Sequence, residues 1–215
     1  MHDILKKICY QINNEDNHFN ILNSVIEAIN HLEESGYIEG NWHPLGFIHI
    51  PLGTFEDHAI RLHIWSHRER RSQKPFYPIH THKFELKSHI LSGSLRNYIY
   101  DSSFVSSEQN IIYNVEYNSR ESIIKQTGQK VIVEKRIEGI YKKGDYYSVK
   151  RGDFHSSEVD EGDFTATIAL TYNIQDDSPL VIGEVEGNEK YIYSRNKCTH
   201  EELKEIISYL KQSIQ

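Results

Sequence analysis

Two histidines one residue apart, His80 and His82, stand in the stretch Tyr77-Pro78-Ile79-His80-Thr81-His82-Lys83-Phe84-Glu85-Leu86-Lys87-Ser88-His89-Ile90-Leu91-Ser92-Gly93. On an extended segment residues i and i+2 point to the same side, so both imidazoles can converge on one metal ion, which an adjacent pair cannot do. A third candidate comes from far along the chain. In Gly144-Asp145-Tyr146-Tyr147-Ser148-Val149-Lys150-Arg151-Gly152-Asp153-Phe154-His155 a short strand is flanked by two glycines, and His155 follows the second. Glycine permits the tight turn that lays the next strand beside the first. Imidazole suits Fe, Zn, Ni and Cu, and a three-ligand face leaves positions where substrate and O₂ can bind together. The chain holds 13 histidines, and their crowding between His43 and His89 draws attention to the same region.

The elements that must position these residues are mostly strands. From Trp42 onward Phe47-Ile48-His49-Ile50 forms an apolar run closed by Pro51 and Gly53. The next segment, Ala59 to Trp65, alternates: Ile60, Leu62 and Ile64 take one face, Arg61, His63 and Trp65 the other. Further strands are expected at 84–92, 95–100, 110–117, 130–135, 137–141, 145–149, 164–173 and 180–185, with the polar stretch 101–128 as a long hairpin or excursion. Many short strands without helices between them indicate a sandwich or barrel rather than a βαβ fold. Helices flank the strands. Ile4, Ile8, Cys9 and Ile12 make one apolar stripe and Ile21, Val25, Ile29 and Leu32 a second, with Gly36 placed to end it. Near the C-terminus Thr199 and Glu202 form a capping box ahead of Leu203, Ile206, Ile207 and Leu210. The expected layout is a helical extension over 1–45, a β domain over 46–185 and a helical tail over 186–215.

Composition narrows the function. Lys plus Arg is 24 against 31 Asp plus Glu, a net charge of −7, which argues against a general nucleic-acid binder with a basic face. No apolar run reaches the ~20 residues of a membrane span, and the first twenty residues are too polar for a signal peptide. With only Cys9 and Cys198, neither a disulfide scaffold nor a cysteine zinc cluster is on offer. A reducing cytoplasm is the expected location.

Taken together, the two histidine stretches resemble the cupin superfamily, small jelly-roll β-barrels known by two motifs. The first runs glycine, five residues, HxH, three or four residues, glutamate, six residues, glycine. The second runs glycine, five residues, PxG, two residues, histidine, three residues, asparagine. His80, His82 and Gly93 fit the first, while Gly144, Gly152 and His155 fit the second. Lys150 replaces the motif proline, Val159 its asparagine and Leu86 its glutamate. Glu85 is one residue off, and on a regular strand it faces away from His82; a bulge would restore it. The resemblance implies a mainly β, double-stranded β-helix with metal ligands His80, His82 and His155, joined by Glu85 if that bulge exists.

Loss of the glutamate with three histidines kept is similar to the thiol dioxygenases, such as cysteine dioxygenase. That resemblance implies Fe(II), with Zn, Ni or Mn as other divalent ions for the same ligands. It also implies O₂ and a small thiol- or amino-acid-like substrate, and a homodimer. Arg61, on a strand before the first motif, stands as the carboxylate-binding arginine of that family does. Tyr147 and Tyr172 lie where a phenol can donate to a ligand near the metal, His63 shares the Arg61 face, and His89 has the opposite strand parity to His82. The Arg68-Glu69-Arg70-Arg71 cluster reads as a solvated loop or an anchor for an acidic group. Two rivals remain open: another enzyme class, either a metal-independent epimerase or isomerase or a metal-dependent lyase, and a cupin that binds a small molecule without turnover.

Overall fold

The computed structural model describes residues 1–104, 110–118 and 121–214. The N-terminal stripes become α1 (His2–Asn13) and α2 (His18–Ser35). Asn17 caps α2, its side chain accepting from the Asn20 N–H at 3.0 Å. Gly36 ends the helix at φ 72°, a left-handed conformation that suits a C′ glycine. The strands follow in chain order: β1 (Asn41–Trp42), β2 (Ile48–Phe55), β3 (His58–Trp65), β4 (Glu85–Ser92), β5 (Ser94–Phe104), β6 (Asn110–Tyr117), β7 (Glu121–Lys142), β8 (Tyr146–Val149), β9 (Phe154–Glu158), β10 (Thr165–Tyr172), β11 (Leu180–Glu184), β12 (Lys190–Ser194) and β13 (Asn196–Lys197). The chain then enters α3 (His200–Ser213), whose capping box is formed as read: the Glu202 N–H donates to Thr199 Oγ1 at 3.2 Å and the Thr199 N–H to Glu202 Oε2 at 2.6 Å.

These strands make two antiparallel sheets that are not closed into one barrel. One has seven strands in the order β13-β1-β2-β3-β10-β4-β8; the other has six, β11-β6-β7-β5-β9 with β12 on β7. Sequence parity decides which way each face of the first sheet looks. Ile48 and Ile50 of β2, Ile60, Leu62 and Ile64 of β3 and Ile168 and Leu170 of β10 join a single apolar cluster with Ile8, Ile12, Val25, Ile29, Ile206 and Leu210 of the helices. The helices therefore cover that face, and each fully buried Ile or Leu there contributes about 1.5–3 kcal/mol. The opposite parity of the same strands looks toward the second sheet. Trp65, Leu86, Ile90 and Ala169 meet Leu95, Ile99 and Tyr147 there.

The expected strands at 130–135 and 137–141 are one element, β7. Their apparent break is a bulge: Ile99 pairs with Ile137 but Tyr100 with Lys135, leaving Arg136 unopposed. The polar stretch 101–128 holds the end of β5, β6 and the start of β7, while 105–109 and 119–120 lie outside the described residues. Gly93 makes the β4–β5 turn at φ 77°, where an added Cβ would lie 2.1 Å from the Phe164 carbonyl oxygen. Among the described residues no helix is long and apolar enough to cross a membrane.

Candidate metal centre

Backbone pairing brings the three motif histidines together. His80 lies on an extended segment ahead of β4 and exchanges both backbone hydrogen bonds with His155 of β9, at 3.0 and 2.9 Å. In an antiparallel pair of this kind opposite residues project to the same side. The same segment is held on its other flank by β11, through the Thr81 N–H to the Leu180 carbonyl at 2.8 Å and the Ile182 N–H to the Ile79 carbonyl at 2.9 Å. The Gly152 N–H donates to the His82 carbonyl at 3.2 Å, so the glycine turn of the second motif also fixes the first. Gly152 sits at φ 80°, a conformation glycine adopts without a Cβ penalty.

The side chains then converge. His80 Nε2 is 3.1 Å and His155 Nε2 3.4 Å from His82 Nε2, and the ligand atoms of all three lie within 4.8 Å of one another, close enough to hold a metal ion. Tautomers support that role. His80 Nδ1 is 2.8 Å from the Pro78 carbonyl oxygen, and His155 Nδ1 is 3.2 Å from Asn97 Oδ1. A carbonyl oxygen accepts only, so both Nδ1 atoms carry the proton and both Nε2 lone pairs face the shared point. The single His82 Nε2 can donate to one of them at most, which leaves lone pairs crowded together in a way a cation relieves. Burial, and for His82 and His155 the neighbouring imidazoles, push all three pKa values down, those two furthest. Neutral imidazole is the form that binds metal.

A cavity of about 430 Å³ opens in front of His80 and His82, within the range of small-molecule sites. Phe84 stacks on His82 with ring centroids 4.6 Å apart, and the Arg61 guanidinium lies over the Phe84 ring, 5.2 Å from its centroid. Arg61 also donates to Thr171 Oγ1. The second wall is a row from β2 and β3. His49 and His63 are cross-strand partners with ring centroids 5.7 Å apart, and Phe47 packs on His63 and stacks on His43. Burial first, then the surrounding imidazoles and Arg61 and Arg195, push His43 down to about 3; burial, then the two arginines, push His49 down to about 4.

The other expected site residues lie elsewhere. Glu85 begins β4 opposite Tyr172, and its carboxylate accepts from the Arg151 N–H at 3.3 Å. The irregularity on β4 falls near Leu91 instead, so strand parity keeps Glu85 out of the three-histidine cluster. Tyr147 is buried between the sheets, 5.1 Å from the Tyr141 ring, and Tyr172 stacks on His58 at 5.2 Å; neither lines the cavity. Arg68 pairs with Glu205, and Arg70 donates to the carbonyls of Val159, Asp160 and Asp163.

No protein-family model matches this chain, and no curated protein matches it significantly. The reading rests on its own geometry.

Sequence reading missed His43, His49 and Arg195 as cavity residues. For His49 the signal existed: alternation puts Phe47 and His49 opposite Ile48 and Ile50. Arg195 had none, being brought to the cavity only by the β12–β13 connection.

Proposed function

We propose that this chain is a metal-dependent enzyme of cupin type, a non-haem Fe(II) dioxygenase or hydroxylase acting on a small polar substrate. The observation that carries the reading is the three-imidazole face with its tautomers set by Pro78 and Asn97 and no carboxylate in the set. Three neutral ligands suit a divalent ion and leave adjacent positions free. Bound Fe(II) would supply the redox chemistry that O₂ needs, and Zn, Ni or Mn would use the same ligands for other reactions. The chain's own residues do the rest. His80, His82 and His155 hold the ion, Arg61 receives an acidic group of the substrate, and Phe47, Phe84 and Leu86 keep water from the cavity. The jelly-roll assignment belongs to this proposal too, supported by the His80 bridges to both His155 and Val181, which join the two edge strands of the second sheet.

Elemental analysis of protein purified without chelator or histidine tag tests it, beside a His80→Ala/His155→Ala control. Near-stoichiometric iron that disappears in the control, with oxygen uptake on thiols or amino acids, is the expected result. A metal-free protein with full turnover would end the oxygenase reading. A second reading draws on His49 and His63, which add imidazoles to the cavity beyond what a metal needs: a metal-independent epimerase or isomerase with histidine as general base. Its mark is activity that survives both chelator and the exclusion of oxygen.

A further inference from the structure

The chain carries 31 acidic residues against 24 basic ones, yet no Asp or Glu lines the histidine cavity among the described residues. The cavity's cationic or protonatable side chains are two arginines, one lysine and five histidines, beside the phenols of Tyr77, Tyr117 and Tyr193. The electrostatic neighbours that act on His43, His49, His63 and His82 are likewise all imidazoles or arginines. An acidic protein with one carboxylate-free, cation-lined cavity has segregated its charge around a ligand of negative sign.

Among the described residues none of the three cations, Arg61, Arg195 or Lys83, forms an ion pair, and the two arginines are the ones with a fork that fits a carboxylate. Arg61 has Thr171 and the Phe84 ring as neighbours and Arg195 lies 5.3 Å from the Tyr117 centroid; among the described residues neither forms an ion pair. That differs from the surface arginines Arg68, Arg71, Arg96, Arg136 and Arg151, each of which meets a carboxylate. Arg61 is half-buried on β3, and Arg195 is exposed at the cavity's rim after β12. A guanidinium withdrawn from water is costly unless an anion meets it, and its planar fork matches a carboxylate at two points.

We propose that the cavity's ligand is a small organic acid with two anionic groups, one received by Arg61 at the inner wall and the other by Arg195 at the rim. This names the substrate class for the site under the enzyme reading and rests on that reading for the ligand being a substrate. His49, which feels both Arg61 and Arg195, and its cross-strand partner His63 line the same cavity and are placed to donate to or accept from the ligand.

The test is calorimetric titration of the metal-free chain with the straight diacids from malonate to adipate, each beside its monomethyl ester, and with inorganic phosphate. The best diacid should bind roughly tenfold or more tightly than its own monoester, the loss of one charge-assisted interaction. Arg61→Gln and Arg195→Gln should each erase that preference, while Arg68→Gln, at the surface pair with Glu205, keeps it. Arg195 is exposed, so its variant folds even if the Arg61 variant does not, a point checked by melting. Equal binding of diacid and monoester, no diacid binding, phosphate binding as tightly as the best diacid, or a preference that survives Arg195→Gln would each overturn the proposal. Because no metal is present, the result is independent of the iron analysis: a diacid site without iron removes the oxygenase reading alone, and iron without diacid preference removes this inference alone.

Discussion

The Nδ1–H of His155 points at Asn97 Oδ1, which also accepts from the Ser157 hydroxyl at 3.2 Å. One amide oxygen on β5 thus sets the tautomer and the ring orientation of a ligand candidate on β9. Asn97→Leu keeps the volume and deletes the acceptor, so metal affinity should fall roughly 10- to 100-fold. A competitive chelator titration reads this directly, and an unchanged affinity would deny Asn97 its orienting role. At this scale the sequence was legible where local geometry decides. His80 and His82 share a side because they are i and i+2, and Glu85 departs from them by the same alternation. Asn97 left no trace, because its partner is 58 residues away and only the pairing of β5 with β9 joins them.

Between neighbouring elements the turns decide. Gly93 combines a positive φ with a Cβ position blocked by the Phe164 carbonyl. Gly93→Ala meets a left-handed cost of about 1–2 kcal/mol and a backbone clash besides, so its melting temperature should drop by more than that of Thr199→Ala. The latter removes the α3 cap and should cost about 1 kcal/mol. Equal shifts in a thermal melt would contradict the clash. The helices were readable in advance from their stripes and caps. The long β7 was not, since a bulge at Arg136 and polar side chains on its exposed half look in sequence like a turn.

For the molecule as a whole, the main division is between a helix-covered sheet face and a cavity-bearing one. Among the polar contacts that cross the helix side is a part-buried one between two imidazoles: His18 Nδ1 of α2 lies 2.8 Å from His89 Nε2 of β4. His89 also faces Tyr146 and Asp145, while Lys143 stands near His18. Burial outweighs the Asp145 charge and pushes His89 down to about 4 from its ordinary 6.5. The unfolded chain therefore binds the extra proton over that interval, so stability is full above about pH 6.5 and is lost as pH falls toward 4. Melting curves of the metal-free protein between pH 7 and 4 should show this decline, and a shallower one for His89→Leu; parallel curves would assign the acid sensitivity elsewhere. Parity had placed His89 away from His82, yet its partner on α2 was invisible, as was the cavity's lack of acids. Net charge is a sum over the surface and carries no record of where each sign collects.

The strap that holds His80 between β9 and β11 has a kinetic consequence. His82 and His155 are 73 residues apart, and the pair exists only once β5, β9 and β11 have found one another. Of the three converging imidazoles a newly made chain offers only His80 and His82 as sequence neighbours, so tight capture at this site is deferred to the last long-range closure. Metal uptake should accordingly trail the recovery of secondary structure during refolding, as a built-in signal that the chain has finished.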